Sequence, residues 1–372
     1  MKFTIDTEAM SKGLANLVKV IPAKPALPIL TNFLFELKGE LLRVTATDGE
    51  LTLRTVLKAD GTEGGGKAAV PAKIFMDLLK TLPSGGFTIE IDPSKGLLCS
   101  WQSGKSTLPV FPPEDFPEVR CPDAKQAKHL TLNGGDLSNG IAKTAFAASR
   151  DENRPVFGGL FFDIRPEGSA IVATDTHKLV CHNIQTPGAE EGSFILTSRA
   201  ARVLKDVVDR EEPLSVVYDT RCARFQSGTT EFVCVLIVGK YPQYRSVIPT
   251  GNENVLSVGR TALLNVLKRM SVCADQKSSV IKVSLSFNEM ELSAQDLGMA
   301  TSATEKIECD YDGEEMQIGF KGPFFIETVG SMESDNIEIR FKEPKKAILL
   351  QPSAEERKDE PYEAVLMPVL VA

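Results

Sequence analysis

Val70-Pro-Ala-Lys-Ile-Phe-Met-Asp-Leu-Leu79 runs from the end of an apolar strand into an amphipathic helix, and the chain repeats that passage twice more. Leu196-Thr-Ser-Arg-Ala-Ala-Arg-Val-Leu204 and Ile318-Gly-Phe-Lys-Gly-Pro-Phe-Phe-Ile326 follow at offsets of 126 and 122 residues. Two further sets keep the same order. Phe3-Thr-Ile, Leu130-Thr-Leu and Leu256-Ser-Val each open a short alternating strand, at offsets of 127 and 126. Ala46-Thr-Asp48, Ala173-Thr-Asp175 and Ala294-Gln-Asp296 each close one apolar strand before another, at offsets of 127 and 121. Three sets recurring in one order mark an internal repeat. The chain therefore reads as three copies of one domain, over 1–125, 126–250 and 251–372. Phe116-Pro-Glu-Val and Tyr241-Pro-Gln-Tyr-Arg-Ser-Val-Ile-Pro249 punctuate the two boundaries.

Within each copy the pattern is strand, helix, several strands, helix, several strands. Leu41-Leu-Arg-Val-Thr-Ala-Thr and Val283-Ser-Leu-Ser-Phe alternate, as antiparallel strands with one buried face do. Helices are expected over 8–20, 72–82, 136–150, 198–210, 260–274 and 321–332. Met10, Leu14, Leu17 and Val18 form the apolar stripe of the first, and Phe75, Leu78, Leu79 and Leu82 that of the second. The fold class is α+β, with two helices against antiparallel sheet in each copy.

Composition bounds the function. The 372 residues are 42% hydrophobic and 25% charged, which is globular. The first residues alternate and carry acids, unlike a secretory signal, and no stretch is long and apolar enough to cross a bilayer. Seven cysteines, scattered and never spaced as CxxC, indicate neither a disulfide framework nor a zinc site. A reduced, cytoplasmic protein without metal or cofactor is expected.

The net charge of −8 taken alone speaks against nucleic acid. Sorting the charges changes that. The six helical stretches hold 14 Lys and Arg against 6 Asp and Glu, while the rest holds 28 against 44. Basic residues also lie opposite the apolar stripes: Lys12 and Lys19 in the first helix, Lys73 and Lys80 in the second. Lys143 and Arg150 share a face of the third, Arg199 and Arg202 bracket the fourth, Lys268 shares a face of the fifth with Thr261 and Asn265, and Lys205 and Arg269 add further charge to the fourth and fifth. With Lys24, these are the expected DNA contacts. Lysines without interleaved aromatics or a reading helix touch phosphates and read no bases. A domain of this size is a sphere roughly 35 Å across. Three in a closed ring leave a hole of about 5 Å, and six leave about 35 Å, enough for a duplex and a water layer. Two copies of the chain, joined head to tail, would make six.

On Met1-Lys-Phe-Thr, Lys24-Pro-Ala-Leu-Pro-Ile-Leu-Thr-Asn-Phe33, Val172-Ala-Thr-Asp-Thr-His-Lys-Leu179, Tyr241-Pro-Gln-Tyr-Arg-Ser-Val-Ile-Pro249 and Val365-Leu-Met-Pro-Val369, the chain resembles the bacterial sliding clamps over its full length. These are the beta subunits of replicative DNA polymerase III. The resemblance implies a homodimeric six-domain ring around double-stranded DNA, with helices inside, sheets outside, a clamp loader and no catalysis. It also implies that polymerases dock by a short hydrophobic peptide in a pocket. By position that pocket would use Phe157, Thr174, Thr176, His177, Lys178, Leu179, Pro242, Val247, Leu366, Met367, Pro368 and Val369. The family commonly has glycine and arginine where Thr176 and Lys178 stand, and often arginine where Ser246 stands. The apolar tail from Val365 follows a charged stretch, Ser353 to Glu360, that reads as a solvated loop.

Other motifs fall away. Gly61-Thr-Glu-Gly-Gly-Gly66-Lys67-Ala68 approaches a P-loop, but it lacks the Ser or Thr for Mg²⁺ and Pro71 follows where a helix should start. Gly104-Lys105-Ser106 has Cys99 at the first glycine position. Asp175 and His177 lack a nucleophile for a hydrolase, and the recurrence of Asp48 and Asp175 at one repeat position favours a turn role. A protein-binding scaffold that does not encircle DNA is the standing alternative.

Overall fold

The computed structural model describes residues 1–358 and 360–370. Val371 and Ala372, the end of the expected apolar tail, lie outside the described residues. In the first stretch of chain lie β1 (Lys2–Asp6), β2 (Asn32–Lys38), β3 (Leu41–Thr47), β4 (Leu51–Lys58), β5 (Asp60–Glu63), β6 (Gly66–Pro71), β7 (Gly86–Asp92), β8 (Gly96–Trp101) and β9 (Gly104–Leu108), with α1 (Thr7–Ala15) and α2 (Ala72–Leu79). Next come β10 (Lys128–Asn133), β11 (Gly159–Ile164), β12 (Ser169–Thr174), β13 (Lys178–Ile184), β14 (Gly192–Thr197), β15 (Pro213–Tyr218), β16 (Cys222–Ser227) and β17 (Thr230–Val235), with α3 (Gly134–Thr144) and α4 (Ser198–Val207). Last are β18 (Asn254–Gly259), β19 (Val280–Ser286), β20 (Glu289–Asp296), β21 (Thr301–Glu308), β22 (Asp310–Tyr311), β23 (Met316–Lys321), β24 (Asn336–Phe341), β25 (Ile348–Pro352) and β26 (Tyr362–Leu366), with α5 (Arg260–Cys273) and α6 (Gly322–Gly330). The repeat is plain: four strands beginning and ending each stretch surround a second set of four, with β5 and β22 as short additions.

The strands gather into two compact units. Unit one is 1–138, 187–190 and 199–236. It contains sheets ordered β5-β1-β7-β8-β9 and β10-β15-β16-β17-β4-β3-β2-β6. Unit two is 139–186, 191–198 and 237–372, with sheets β14-β11-β12-β13-β26-β25-β24-β18-β22 and β21-β20-β19-β23. Each unit thus contains one joint where two repeats share a sheet: β17 against β4 in unit one, β13 against β26 in unit two.

Local sequence explains the elements and their departures from expectation. Phe3 and Ile5 of β1 are buried on one face, as alternation requires. Asp6 caps α1 by accepting from the Ala9 N–H, and Met10 and Leu14 are buried. The first helix stops at Ala15 and passes into a 3-10 turn, Leu17–Val20. That change of pitch buries Leu17 but turns Val18 outward, 42% exposed, away from the stripe expected of it. The third helix likewise ends at Thr144 in a 3-10 turn, so Arg150 stands on the following loop. The near-P-loop spans β5, the start of β6 and a short turn between them with Gly64 at φ +67. The two strands lie in different sheets, β5 beside β1 and β6 beside β2, so the expected hairpin does not form.

Candidate functional site

The turn after Thr174 builds one wall of a cleft in unit two. Thr174 Oγ1 donates to the Lys178 carbonyl at 2.7 Å and accepts from the Thr176 N–H at 3.1 Å. Asp175 Oδ1 accepts from the N–H groups of His177 and Lys178, both at 2.9 Å. The carboxylate therefore closes a backbone turn, and among the described residues no serine or cysteine lines the cleft beside His177. Thr176 sits in the left-handed region at φ +78, a conformation that disfavours a β-branched residue. Met367 adjoins this wall, its N–H donating to the His177 carbonyl at 2.9 Å.

The cleft encloses about 210 Å³, lined by Phe157, Thr174, Thr176, His177, Lys178, Leu179, Tyr241, Pro242, Tyr244, Val247, Val365 and Met367. Nine of these carry the positions expected from sequence. Tyr241, Tyr244 and Val365 were not expected there. Tyr241 stacks on Phe161 at 4.5 Å and meets Phe157 edge-on at 6.0 Å, so the floor is an aromatic cluster. Tyr244 donates to Asp163 Oδ2 at 2.8 Å. Burial and then the neighbouring anion hold its hydroxyl far above the ordinary range, so it stays protonated. The signal for both tyrosines lay in Tyr241-Pro-Gln-Tyr244, whose prolines read as boundary punctuation.

Leu366, Pro368 and Val369, expected in the pocket, do not line it. Leu366 lies between Val365 and Met367 on β26 and its continuation, and strand alternation turns it to the opposite, fully buried side. Val369 is drawn off to bridge Gly319, its N–H donating at 2.8 Å.

Lys178, 5% exposed, forms a charged corner of the cleft. Its ammonium lies 2.9 Å from Asp175 Oδ2, 3.2 Å from Glu327 Oε2 and 4.1 Å from the centroid of Phe324. His177 stacks on the same ring at 5.8 Å.

The basic residues expected to touch DNA divide. Lys12, Lys19, Lys24, Lys73, Lys80, Arg150, Arg199, Arg202, Lys268 and Arg269 are exposed, and Lys205 is half-buried. Some are partly neutralised: Lys12 by Glu8 at 2.6 Å, Lys80 by Asp77 at 3.6 Å, Arg269 by Glu305 at 2.8 Å and Arg199 by Asp48. Lys143 is a correction. It is 6% exposed, with Nζ 2.6 Å from Glu360 Oε1 and 3.2 Å from Glu333 Oε2, so it is spent on an internal ion pair instead of facing solvent. Glu360 is the matching correction, since it was read as part of a solvated loop and is 5% exposed. Burial alone would raise its carboxyl, but Lys143 and the N–H groups of Glu333 and Ser334 hold it below the usual range.

Repeats sharing sheets edge to edge, each with two short helices, and an aromatic cleft beside one shared strand define the class of clamp proteins. Family models for the N-terminal, central and C-terminal domains of the DNA polymerase III beta subunit match residues 1–120, 131–243 and 245–370. The chain belongs to the DNA polymerase III beta subunit family. It is 27% identical to the beta sliding clamp of Pseudomonas putida over 373 residues, covering 99% of this chain and 100% of that one. It is 27% identical to the beta sliding clamp of Caulobacter vibrioides over 383 residues, covering 100% of each. Among solved structures, a Pseudomonas aeruginosa sliding clamp bound to griselimycin superimposes with a TM-score of 0.92 at 24% identity, over 100% of both chains. The Thermotoga maritima DNA polymerase III beta subunit does so at 0.89 and 25%, again over 100% of both.

Proposed function

We propose that this chain is a DNA sliding clamp that closes head to tail with a second copy, encircles duplex DNA and tethers polymerases through the unit-two cleft. Strand order carries the assembly. By repeat position β9, β17 and β26 correspond, as do β4, β13 and β21. β17 pairs with β4 and β26 pairs with β13. Among the described residues this leaves β9 and β21 as free sheet edges of matching kind. A second copy completes this series twice, leaving no edge of this kind unpaired. Apolar side chains mark the same seam. Val272 on α5, and Leu297 and Met299 in the turn leading to β21, are 83%, 86% and 69% exposed. On the other side of the seam Ile74 of α2, the helix in the stretch that carries β9, is 52% exposed. Burying such groups between copies favours association.

Three domains per chain, 1–125, 126–250 and 251–372, give six in the ring. Lys12, Lys19, Lys24, Lys73, Lys80, Arg150, Arg199, Arg202, Lys205, Lys268 and Arg269 contact phosphates without reading sequence. The clamp acts in the cytoplasm as a processivity factor and performs no bond chemistry. No helix among the described residues is long and apolar enough to cross a membrane. The cleft receives a short partner peptide whose two apolar anchors gain roughly 1.5–3 kcal/mol each, giving micromolar affinity.

Retention on DNA circles tests encirclement. Loaded clamps should survive high salt on a nicked circle and leave once it is linearised. An electrostatic binder would lose affinity with salt on either topology. The native mass should be near twice 40.4 kDa, and Val272→Glu with Ile74→Glu should give monomers that circles do not retain. Equal salt sensitivity on circles and linear DNA, or a native monomer, defeats the reading.

A further inference from the structure

The segment that supplies Tyr244 and Val247 to the cleft supplies alternate residues to a second depression. Arg245 and Ile248, with Arg340, Leu349, Arg357 and Glu363, help to line a space of about 550 Å³ in the same unit. Ile248 and Leu349 pack into the apolar cluster that also holds Tyr241, Tyr244 and Val365. Cleft and depression therefore rest on one core and share one wall.

The charges in this depression are unevenly matched. Arg340 Nη2 and Arg357 Nη2 each lie 2.8 Å from the same oxygen, Glu338 Oε2. One carboxylate thus serves two guanidinium groups. Arg245 reaches Asp163 Oδ2 through Nε at 3.2 Å and Nη2 at 3.1 Å, and that carboxylate also accepts from Arg165 and Tyr244. The opposing carboxylate in the lining, Glu363, already accepts from Gln351 Nε2 at 2.9 Å. Arg340 Nε and Arg357 Nε have no acceptor among the described residues. The three arginine side chains are 49%, 33% and 35% exposed in chain order, whereas Asp163 and Glu338 beneath them are 7% and 13% exposed, and Glu363 is the one carboxylate in the lining among the described residues. Arg245 Nη2 also reaches the Gly168 carbonyl at 3.5 Å and Arg357 Nη2 the Pro352 carbonyl at 3.3 Å, and the unpartnered Nε atoms are buried, so the outer edges of the guanidinium groups are what a ligand would meet. Planar guanidinium forks at a rim whose paired carboxylates lie beneath suit carboxylate side chains from outside.

We propose that this arginine pocket receives an acidic segment of the partner, Asp or Glu residues directly flanking the peptide seated in the cleft. It selects clamp-binding sequences by charge where the cleft selects them by apolar shape. The proposal rests on the reading of the cleft as a peptide site. A basic flank would meet the like charge of three guanidinium groups and be rejected.

The test uses the full-length dimer and fluorescence anisotropy with peptides sharing a Gln-x-x-Leu-Phe core. Flanks on either side are Ser-Ser, Asp-Glu or Lys-Lys. On one side the acidic flank should bind about 5- to 10-fold tighter than the serine flank, with the gain shrinking between roughly 50 mM and 500 mM salt. R340Q with R357Q should erase that gain and leave the serine-flanked peptide unchanged. E363Q, which removes only the opposing carboxylate, should enlarge the gain, and it decides the matter should the double variant fail to fold. No acidic gain on either side, a gain that survives R340Q/R357Q, or no response to E363Q overturns the proposal. Loss of the serine-flanked peptide from the wild-type clamp would instead overturn the cleft reading beneath it.

Discussion

The joint in unit one and the joint in unit two are built on one plan and end in different surfaces. In both, a Thr-Asp turn precedes the shared strand. Thr47 Oγ1 donates to the Leu51 carbonyl at 2.8 Å and Asp48 Oδ1 accepts from Glu50 and Leu51, bond for bond as Thr174 and Asp175 do. Beside Asp48 the walls are Thr47, Glu50, Thr52, Glu118 and Arg120 together with Val119 and Val233 to Val235 of β17, a mixed recess of about 240 Å³ with no aromatic side chain among the described residues. Beside Asp175 the linker contributes Tyr241, Tyr244 and Val247, and the recess becomes an aromatic cleft. The repeat supplies the corner, and the linker that follows decides how aromatic it is. The joints also differ in how charge crosses them. Arg54 meets Glu231 at 2.8 Å as a cross-strand pair in unit one, whereas unit two buries Lys143 with Glu360.

That contrast gives the largest expected effect. Glu360→Ala leaves the buried Lys143 only the exposed Glu333, and takes the acceptor from the Glu333 and Ser334 N–H groups, so it should cost about 3 kcal/mol, read by urea unfolding. Arg54→Ala should cost about 1 kcal/mol or less, because its pair is partly solvated. Equal costs would erase the distinction between the joints.

Acid should loosen the unit-two joint in particular. His182 on β13, 6% exposed, is pushed down to about 4 by burial first and by Lys143 second, with Glu360 and Glu333 opposing. The unfolded chain takes up this proton near 6.5 and the folded chain only near 4, so stability falls as pH drops through that window. The loss approaches about 3 kcal/mol at the lower end. Hydrogen exchange of β13 amides should accelerate over that range, and His182→Gln should flatten the response.

Removing Met367 to Ala372 should weaken a Gln-x-x-Leu-Phe peptide by about 100-fold or more, some 2.7 kcal/mol, in isothermal titration. Val119→Ala at the unit-one corner should change nothing in the same titration. Wild-type affinity in the truncated protein would place the peptide elsewhere.

The smallest effect compares the turns themselves. Gly49 has φ +97 and Thr176 has φ +78 at equivalent positions. Thr176→Gly should stabilise unit two by about 1 kcal/mol, and Gly49→Thr should destabilise unit one by a similar amount, since open space around Gly49 leaves backbone strain as the cost. Thermal unfolding of the two variants checks the opposite signs.

Periodicity made the fold legible, because strand alternation and helix stripes are local and three copies repeat the signal. Arg150 and Val18 escaped, since the change from α-helix to 3-10 turn at Asn16 and Thr144 leaves little trace in the apolar spacing. Lys143 escaped for a different reason. Its partner Glu360 lies 217 residues away, and nothing near either residue marks a lysine as buried. In the cleft, residues of the Thr174–Leu179 turn were legible through resemblance. Tyr241 and Tyr244 were hidden by the prolines around them, and Val365 would have followed from alternation with Met367.

Met367 hangs between two fixed points. Its own N–H is tied to the His177 carbonyl, and two residues on Val369 is tied to Gly319, each through a backbone bond. The main chain at this rim is therefore pinned while the thioether, on a side chain of three torsions and 41% exposed, remains pliable. Such a rim acts as a gasket. On the proposed reading of the cleft as a peptide site, partners of different bulk would be met by a rotamer change at Met367.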